Sequence, residues 1–154
     1  MADQEIKETG AVQIDIEISV DKPRDAVWKS IVEETASWWP ADFWATKTHR
    51  RMVFEPKPGG RLYEEAEGGG GLLWYTVIAI EPPESLHLAG YIAPPFGGPA
   101  TSLLRIALTA PSGSTTLLKI SDSVFGCVDG HTKQSVAEGW SALFAAAKRY
   151  IEKK

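Results

Sequence analysis

The segment DGHTKQSVAEGWSALFAAAKRYIE, residues 129–152, has the apolar spacing of a long amphipathic helix. Its polar residues, among them Lys133, Glu138 and Lys148, fall on the opposite side. Apolar side chains recur three and four positions apart, at Val136, Trp140, Leu143, Phe144, Ala147 and Ile151. A helix of about six turns with one apolar stripe has to bury that stripe against another element of the fold.

Most of the chain before this helix has the pattern of β-strands. Residues 11–20, AVQIDIEISV, alternate apolar and polar side chains, which is typical of a half-buried strand. About six further strand-like segments follow, separated by turn residues: HRRMVFEP, RLYEEAE, LLWYTVIAIE, SLHLAGYI, TSLLRIALTA and TTLLKISDSV. Neighbouring strands joined by short turns pair antiparallel. We therefore predict an α+β fold in which a curved antiparallel sheet of about seven strands wraps around the C-terminal helix.

Short helices are expected after the first strand. Residues 21–34, DKPRDAVWKSIVEE, place their apolar side chains on one helical face, at Val27, Trp28, Ile31 and Val32. We expect Asp21 to cap this helix, because its carboxylate can accept a hydrogen bond from a free backbone N–H of the first turn. The next segment, TASWWPADFWATKT, holds three of the six tryptophans and is interrupted by Pro40.

The composition of the 154-residue chain is that of a globular protein. Its formal net charge is −4, whereas a nucleic-acid-binding protein needs a basic face, so we predict no nucleic-acid partner. No apolar run approaches the ~20 residues of a membrane helix, and the polar N-terminus lacks a signal-peptide core. We expect a soluble, cytoplasmic protein without a membrane span, with residues 1–10 as a flexible leader and residues 11–154 as a single domain.

The stretch EPKPGGRLYEEAEGGGG, residues 55–71, has six glycines and basic residues, a composition similar to that of phosphate-binding loops. Such loops place their glycines between a strand and a helix, whereas both glycine clusters here lie between predicted strands. Glu64, Glu65 and Glu67 would also repel a phosphate. We therefore predict a tight turn at Pro58-Gly59-Gly60 and a hairpin tip at the four glycines, with no nucleotide bound.

Three motifs in a fixed order resemble a known superfamily: FEPKPGGRLYEE, VIAIEPPESLHL and VAEGWSALFAAAKRYIE. They are similar to the START-like, Bet v-type helix-grip (SRPBCC) proteins, over roughly residues 12–152. The branch resembled most is that of homologues of the activator of heat-shock protein 90 ATPase, which shows paired aromatics like Trp38-Trp39 and a terminal Gly-Trp helix. The resemblance implies a seven-stranded antiparallel sheet that grips a long helix around a cavity. The family includes lipid and aromatic-ligand carriers, polyketide cyclases and co-chaperone domains.

The chain is rich in aromatic residues, which suits the wall of a pocket for a flat or apolar ligand. The alternative is ordinary core packing, because every pocket wall is also part of a core. We predict that a hydrophobic or aromatic small molecule binds between the sheet and the C-terminal helix, in contact with Trp39, Phe54, Leu62, Glu64, Trp74, Tyr91, Phe125, Trp140 and Phe144.

Glu64 is the candidate catalytic residue. Because side chains alternate along a strand, Glu64 faces inward if Leu62 does. An inward carboxyl has a raised pKa unless a partner such as Arg61, Arg105 or a tyrosine stabilises its charged form. Such a group could orient a ligand or act as an acid or base. The alternative is that Glu64 lies near a strand end and is solvated.

Three functional classes stay open at this point: a ligand-binding module, a polyketide cyclase- or dehydratase-like enzyme that uses Glu64, and a co-chaperone-like protein-interaction domain. Full activators carry an additional N-terminal domain with an Asn/Trp-rich motif that the ten leader residues lack, so we expect no ATPase activation. His49, His87 and His131 do not have metal-site spacing, and we predict neither a metal nor a cofactor. The oligomeric state is open, with a homodimer as one alternative.

Overall fold

The computed structural model describes residues 4–154, so the first three residues of the predicted leader lie outside the described part. The strands are β1 (Gly10–Val20), β2 (His49–Phe54), β3 (Arg61–Ala66), β4 (Gly71–Glu81), β5 (Ser85–Ile92), β6 (Ala100–Ser112) and β7 (Thr115–Gly126). The helices are α1 (Arg24–Glu33), α2 (Thr35–Trp38) and α3 (Gly130–Glu152), with 3₁₀ turns at Ala41–Phe43, Glu67–Gly69 and Pro94–Phe96. The predicted order of elements is confirmed.

The strands form one seven-stranded sheet in the order β1-β7-β6-β5-β4-β3-β2. Every neighbouring pair is antiparallel, as the short turns predict for the consecutive strands β2 to β7. The register shifts between Leu62 and Tyr63 on β3 and between Val77 and Ala79 on β4. Irregularities of this kind bend a strand and increase its twist, which suits a sheet that curves around a helix.

The core lies between the concave face of the sheet and the helices. Alternate residues of each strand point into it, and on β7 this buried set is Thr116, Leu118, Ile120, Asp122 and Val124. The C-terminal half of α3 closes the core with Leu143, Phe144, Ala147 and Ile151. The apolar face predicted for α1 is buried as well. None of the helices in residues 4–154 is long and apolar enough to cross a membrane.

The two main helices begin differently. Asp129 caps α3 in a reciprocal pair with Thr132, whose backbone N–H donates to the Asp129 carboxylate at 2.9 Å. The prediction that Asp21 caps α1 is wrong, because the helix starts at Arg24, the N-cap position falls on Pro23, and no side chain donates or accepts a capping hydrogen bond there. The backbone N–H of Asp21 instead donates to the Glu152 carboxylate at 2.8 Å, which joins the start of α1 to the end of α3.

Glycine is favoured at the hairpin tip and on β5 for different reasons. At the predicted hairpin tip between β3 and β4, Gly68 and Gly69 have φ angles of 69° and 82°, a region that glycine occupies without strain. Gly90 on β5 is different, because the Tyr75 ring lies against its backbone. A Cβ atom at residue 90 would lie 2.8 Å from the Tyr75 ring and 2.6 Å from the Trp74 carbonyl oxygen.

We therefore predict that Gly90→Ala destabilises the fold by about 1–3 kcal/mol, the usual effect of overpacking a core. The alanine Cβ meets backbone on one side, so the Tyr75 ring has to move. Gly113→Ala is the matched control, because a Cβ at residue 113 meets no atom within 4 Å. Urea denaturation of both variants tests this, and equal stabilities would contradict the close packing of Tyr75 on β5.

Candidate functional site

A cavity of about 510 Å³ lies between the N-terminal half of α3 and the middle of the sheet. One wall is helical, formed by Val136, Gly139 and Trp140. The facing wall comes from β4 and β5 and from the loop after α2, with Phe43, Ala45, Leu72, Trp74, Tyr75 and Tyr91 among its residues. These side chains are mostly apolar, which is the usual lining of a small-molecule site.

The helix α3 packs unevenly on the sheet, and this leaves space for the cavity. Its C-terminal half packs on the sheet, whereas Trp140 is only half buried. The Trp140 ring lies 5.9 Å from Phe144 and 6.1 Å from Tyr75, measured between ring centroids, and these contacts mark the inner end of the cavity. Beyond them lies a much smaller void of about 30 Å³, inside the core.

The inner end of the cavity is polar. Asp122 of β7 is 1% exposed, and its Oδ1 accepts a hydrogen bond from the Ser102 hydroxyl at 2.6 Å. The Ser102 oxygen lies 2.7 Å from the Tyr75 hydroxyl, which can donate to it because the Ser102 proton is already directed at Asp122. Asp122 Oδ2 accepts from the Trp140 indole N–H at 2.8 Å. Four side chains from β4, β6, β7 and α3 therefore meet in one network.

Burial dominates the electrostatics of this network. It raises the pKa of the Asp122 carboxyl above its usual range, although the hydrogen bonds from Ser102 and Trp140 act in the opposite direction. Burial and the neighbouring Asp122 charge also raise the pKa of the Tyr75 hydroxyl. Within residues 4–154, Asp122 forms no ion pair.

Glu64 lies beside the cavity and fixes part of its wall. It is 0% exposed, and Leu62 is buried too, as the strand alternation predicts. Its oxygens accept from the backbone N–H groups of Ala45 at 3.0 Å and Thr46 at 2.6 Å, and from the Thr46 hydroxyl at 2.5 Å. The Trp74 indole N–H donates a fourth hydrogen bond at 2.9 Å. Glu64 thus joins the loop after α2 to β4.

These four donors determine the protonation state of Glu64. Burial acts to raise the pKa of its carboxyl, but the hydrogen bonds from Thr46, Ala45 and Trp74 outweigh that effect and lower the pKa. The residues suggested from the sequence as partners of the Glu64 carboxyl, Arg61 among them, do not form these hydrogen bonds. Arg61 pairs with Glu55 at 3.0 Å.

We predict that Glu64→Gln destabilises the protein by about 1–3 kcal/mol at neutral pH, because an amide cannot accept all four hydrogen bonds and buried donors lose their partner. A carboxyl with a lowered folded-state pKa stabilises the fold above its unfolded-state pKa and loses that contribution as the pH falls through the folded-state pKa. The difference in unfolding free energy between Glu64→Gln and the unmodified protein should therefore become smaller at acidic pH. Chemical denaturation across acidic and neutral pH measures it.

Glu65→Gln is the matched control for Glu64→Gln. Glu65 is the next residue of the same strand, but it points outward and pairs with Arg51 on the surface at 2.6 Å. Exposed ion pairs contribute little to stability, so we expect a much smaller loss. Equal losses in both variants would contradict the positioning role assigned to Glu64.

The residues predicted to contact a ligand fall into four groups. Trp74, Tyr91 and Trp140 line the large cavity. The smaller void is lined by Trp39, Phe54, Leu62 and Phe144, with Trp140 at the boundary. Glu64 lines neither but is bonded to Trp74. Phe125 also lines neither, since it is 47% exposed on β7 and alternates with the buried residues of that strand.

The polar inner end of the cavity was not predicted from the sequence. Asp122 occurs in TTLLKISDSV two residues after Ile120, so the same alternation that predicts the direction of Glu64 places Asp122 inward. Ser102 occupies the equivalent face of β6. Residues 4–154 contain no group of three or more His, Cys, Asp or Glu side chains that could hold a metal ion.

Comparison with protein families gives one match that spans most of the chain. The model of the family described as Activator of Hsp90 ATPase homolog 1-like protein matches residues 21–152. Among curated proteins, none matches this sequence.

Solved structures share the fold at low sequence identity. An uncharacterised protein from Rhizobium leguminosarum is 19% identical, with a TM-score of 0.72 over 97% of this chain and 100% of that one. Ara h 8.0201 is 15% identical, with a TM-score of 0.72 over 94% and 100% of the two chains. The anthrahydroquino-γ-pyrone synthase Txn09 is 20% identical, with a TM-score of 0.52 over 71% and 75%.

Proposed function

We propose that this chain, which belongs to the family of Activator of Hsp90 ATPase homolog 1-like proteins, binds a small apolar or aromatic molecule in the cavity between its sheet and α3. The observation that carries this proposal is the cavity of about 510 Å³ with aromatic walls and a single polar end. That size is within the range of small-molecule sites, and its chemistry combines apolar surface with a few oriented polar groups.

Contacts within the protein hold the walls of the cavity in place. The C-terminal half of α3 is anchored in the core, which positions Trp140. Glu64 fixes the loop that carries Phe43 and Ala45. A site whose walls are already ordered loses less conformational freedom on binding, which favours affinity.

The polar end would orient the ligand. Trp74, Tyr75 and Trp140 offer flat faces for a planar apolar body. Asp122 and Ser102 lie where a polar substituent of that body would meet hydrogen-bonding partners. Tyr91, which is 78% exposed, lies at the outer edge of the cavity and leaves a route for entry. We propose that Glu64 acts as a positioning residue, because its oxygens accept hydrogen bonds from the segments that form the cavity wall.

Gly139→Leu tests the proposal. Gly139 lines the cavity, and a Cβ at this position meets no atom within 4 Å, so we expect a leucine side chain to extend into the open space. Leucine is also the better helix former. We expect the variant to be at least as stable as the unmodified protein and to bind 2-naphthalenemethanol at least ~10-fold more weakly, because the leucine occupies space that the ring needs. Titration calorimetry measures the affinity.

Ser141→Leu supplies the control, because residue 141 lies two positions further along α3 and is exposed. The same apolar side chain there leaves the cavity open, and we expect unchanged affinity. Equal binding by the Gly139→Leu and Ser141→Leu variants would place the probe elsewhere and overturn the proposal.

A second candidate function is catalysis of the polyketide cyclase type, favoured by the Asp122 carboxyl with its raised pKa and its link through Ser102 to the Tyr75 hydroxyl. Ring closure by aldol condensation needs a base that removes a carbon-bound proton, and a carboxyl with a raised pKa is suited to proton transfer. One structural relative is named as a synthase of a polycyclic pyrone.

Asp122→Asn tests this second function with a poly-β-ketone thioester as the model substrate. Mass spectrometry should show loss of water from the substrate with the unmodified protein, and the variant should show turnover reduced by ~100-fold or more, the usual contribution of a general base. Turnover unaffected by the substitution would remove Asp122 from the reaction.

A further inference from the structure

We infer that the molecule bound in this cavity carries a protonated amine next to its apolar body, and that Asp122 is the counter-ion of that amine. The inference rests on the proposed binding function and adds the chemical class of the ligand. It follows from three features of the inner end of the cavity: the donors around Asp122, the aromatic rings beside it, and the absence of an ion-pair partner for Asp122 among residues 4–154.

The hydrogen bonds around Asp122 suit its ionised form. Oδ1 accepts from the Ser102 hydroxyl at 2.6 Å and Oδ2 accepts from the Trp140 indole N–H at 2.8 Å. The Tyr75 hydroxyl lies 2.7 Å from the Ser102 hydroxyl oxygen and can donate a hydrogen bond to it. The contacts from Ser102 and Trp140 each direct a donor at the carboxylate, and each carboxylate oxygen can accept a further hydrogen bond. The surroundings therefore hold a carboxylate that still has acceptor capacity for a donor in the cavity.

No side chain in residues 4–154 compensates the charge of this carboxylate. Other carboxylates of the chain have cationic partners, as in the pairs Glu55–Arg61 and Glu65–Arg51. Asp122 is buried and has only neutral partners, and burial raises its pKa. An unpaired buried charge is unfavourable, and a cation within hydrogen-bond distance removes much of that penalty. Asp122 is among the residues that line the cavity, so a cation bound at its inner end would lie next to this carboxylate.

The rings around Asp122 favour an organic cation. Tyr75 and Trp140 both reach the carboxylate network, and their ring centroids are 6.1 Å apart. The π-faces of tyrosine and tryptophan attract ammonium groups, with tryptophan the stronger partner. An ammonium group held by Asp122 would lie next to these rings, while the attached apolar body fills the space toward Trp74 and Phe43.

The alternatives to an amine fit less well. A divalent metal ion needs several oxygen or nitrogen ligands, and Asp122 is the only carboxylate among the residues that line the cavity. A neutral alcohol or phenol can donate to Asp122 but leaves its charge uncompensated. A carboxylate ligand would place two negative charges together. The formal net charge of −4 also favours the approach of cations over anions.

Three probes with one naphthalene body test the inference: 2-naphthylmethylamine, 2-naphthalenemethanol and 2-naphthoic acid. Their affinities for the unmodified protein at neutral pH are measured by titration calorimetry. We expect the amine to bind about 10-fold or more tightly than the alcohol, from one charged hydrogen bond, and the acid to bind most weakly. This comparison needs no variant, so it holds even if a substitution at Asp122 prevents folding.

Asp122→Asn provides the second measurement. The substitution keeps the side-chain shape and removes the charge, so the affinity for the amine should fall more than the affinity for the alcohol and the preference for the amine should disappear. Asp15→Asn is the matched control, because Asp15 accepts a hydrogen bond from the Ser121 hydroxyl at 2.8 Å but lies on the exposed face of the sheet. The Asp15→Asn variant should still bind the amine more tightly than the alcohol.

The outcomes separate this inference from the proposed function. If the alcohol or the acid binds as tightly as the amine, the amine assignment is overturned and the apolar binding function stands. If the preference for the amine survives in Asp122→Asn, Asp122 is not the counter-ion and the inference is likewise overturned. If none of the three probes binds the unmodified protein, the proposed function fails, and the inference with it.

Discussion

A sheet of seven strands has a larger apolar face than one helix can cover, and this constraint shapes the rest of the molecule. The C-terminal half of α3 covers the part of the sheet that holds the core, with Phe144 at its centre. α1, α2 and the Trp38-Trp39 pair cover a second part. The N-terminal half of α3 faces the remaining part across a gap, and this gap is the cavity. The part of its aromatic lining that comes from Trp74, Tyr75 and Tyr91 is therefore sheet surface on which no helix packs closely.

Two buried carboxyl groups near this gap have opposite properties because their surroundings differ. Glu64 accepts four hydrogen bonds, its pKa is lowered, and its oxygens hold two segments of the wall together. Asp122 accepts two, its pKa is raised, and it borders the cavity. A carboxylate saturated with donors is suited to a structural role, whereas one with remaining acceptor capacity is suited to meet a ligand. Burial acts to raise the pKa of both carboxyl groups, and the donors outweigh it at Glu64 but not at Asp122.

Alternation along the strands and the spacing in α3 are local properties, so the strands, the long helix and the inward direction of Glu64 could be predicted from the sequence. The same rule, applied to β7, places Asp122 inward and Phe125 outward, as the structure has them. The partners of Glu64 could not be predicted, because Ala45 and Thr46 lie 19 and 18 residues away in a loop without a periodic pattern. That loop takes its conformation from a long-range contact, and so does the cavity wall it forms.

The most direct test of the central claim, that the gap between the sheet and α3 is a binding site, is a crystal structure of the protein soaked with 6-bromo-2-naphthalenemethanol. Anomalous scattering locates the bromine atom independently of any assumption about the site. The account predicts one strong bromine peak in the cavity between Trp74 and Trp140, with the hydroxyl group directed at Asp122. A cavity closed by inward movement of Trp140 or Phe43, with no bromine peak between sheet and helix, would contradict it.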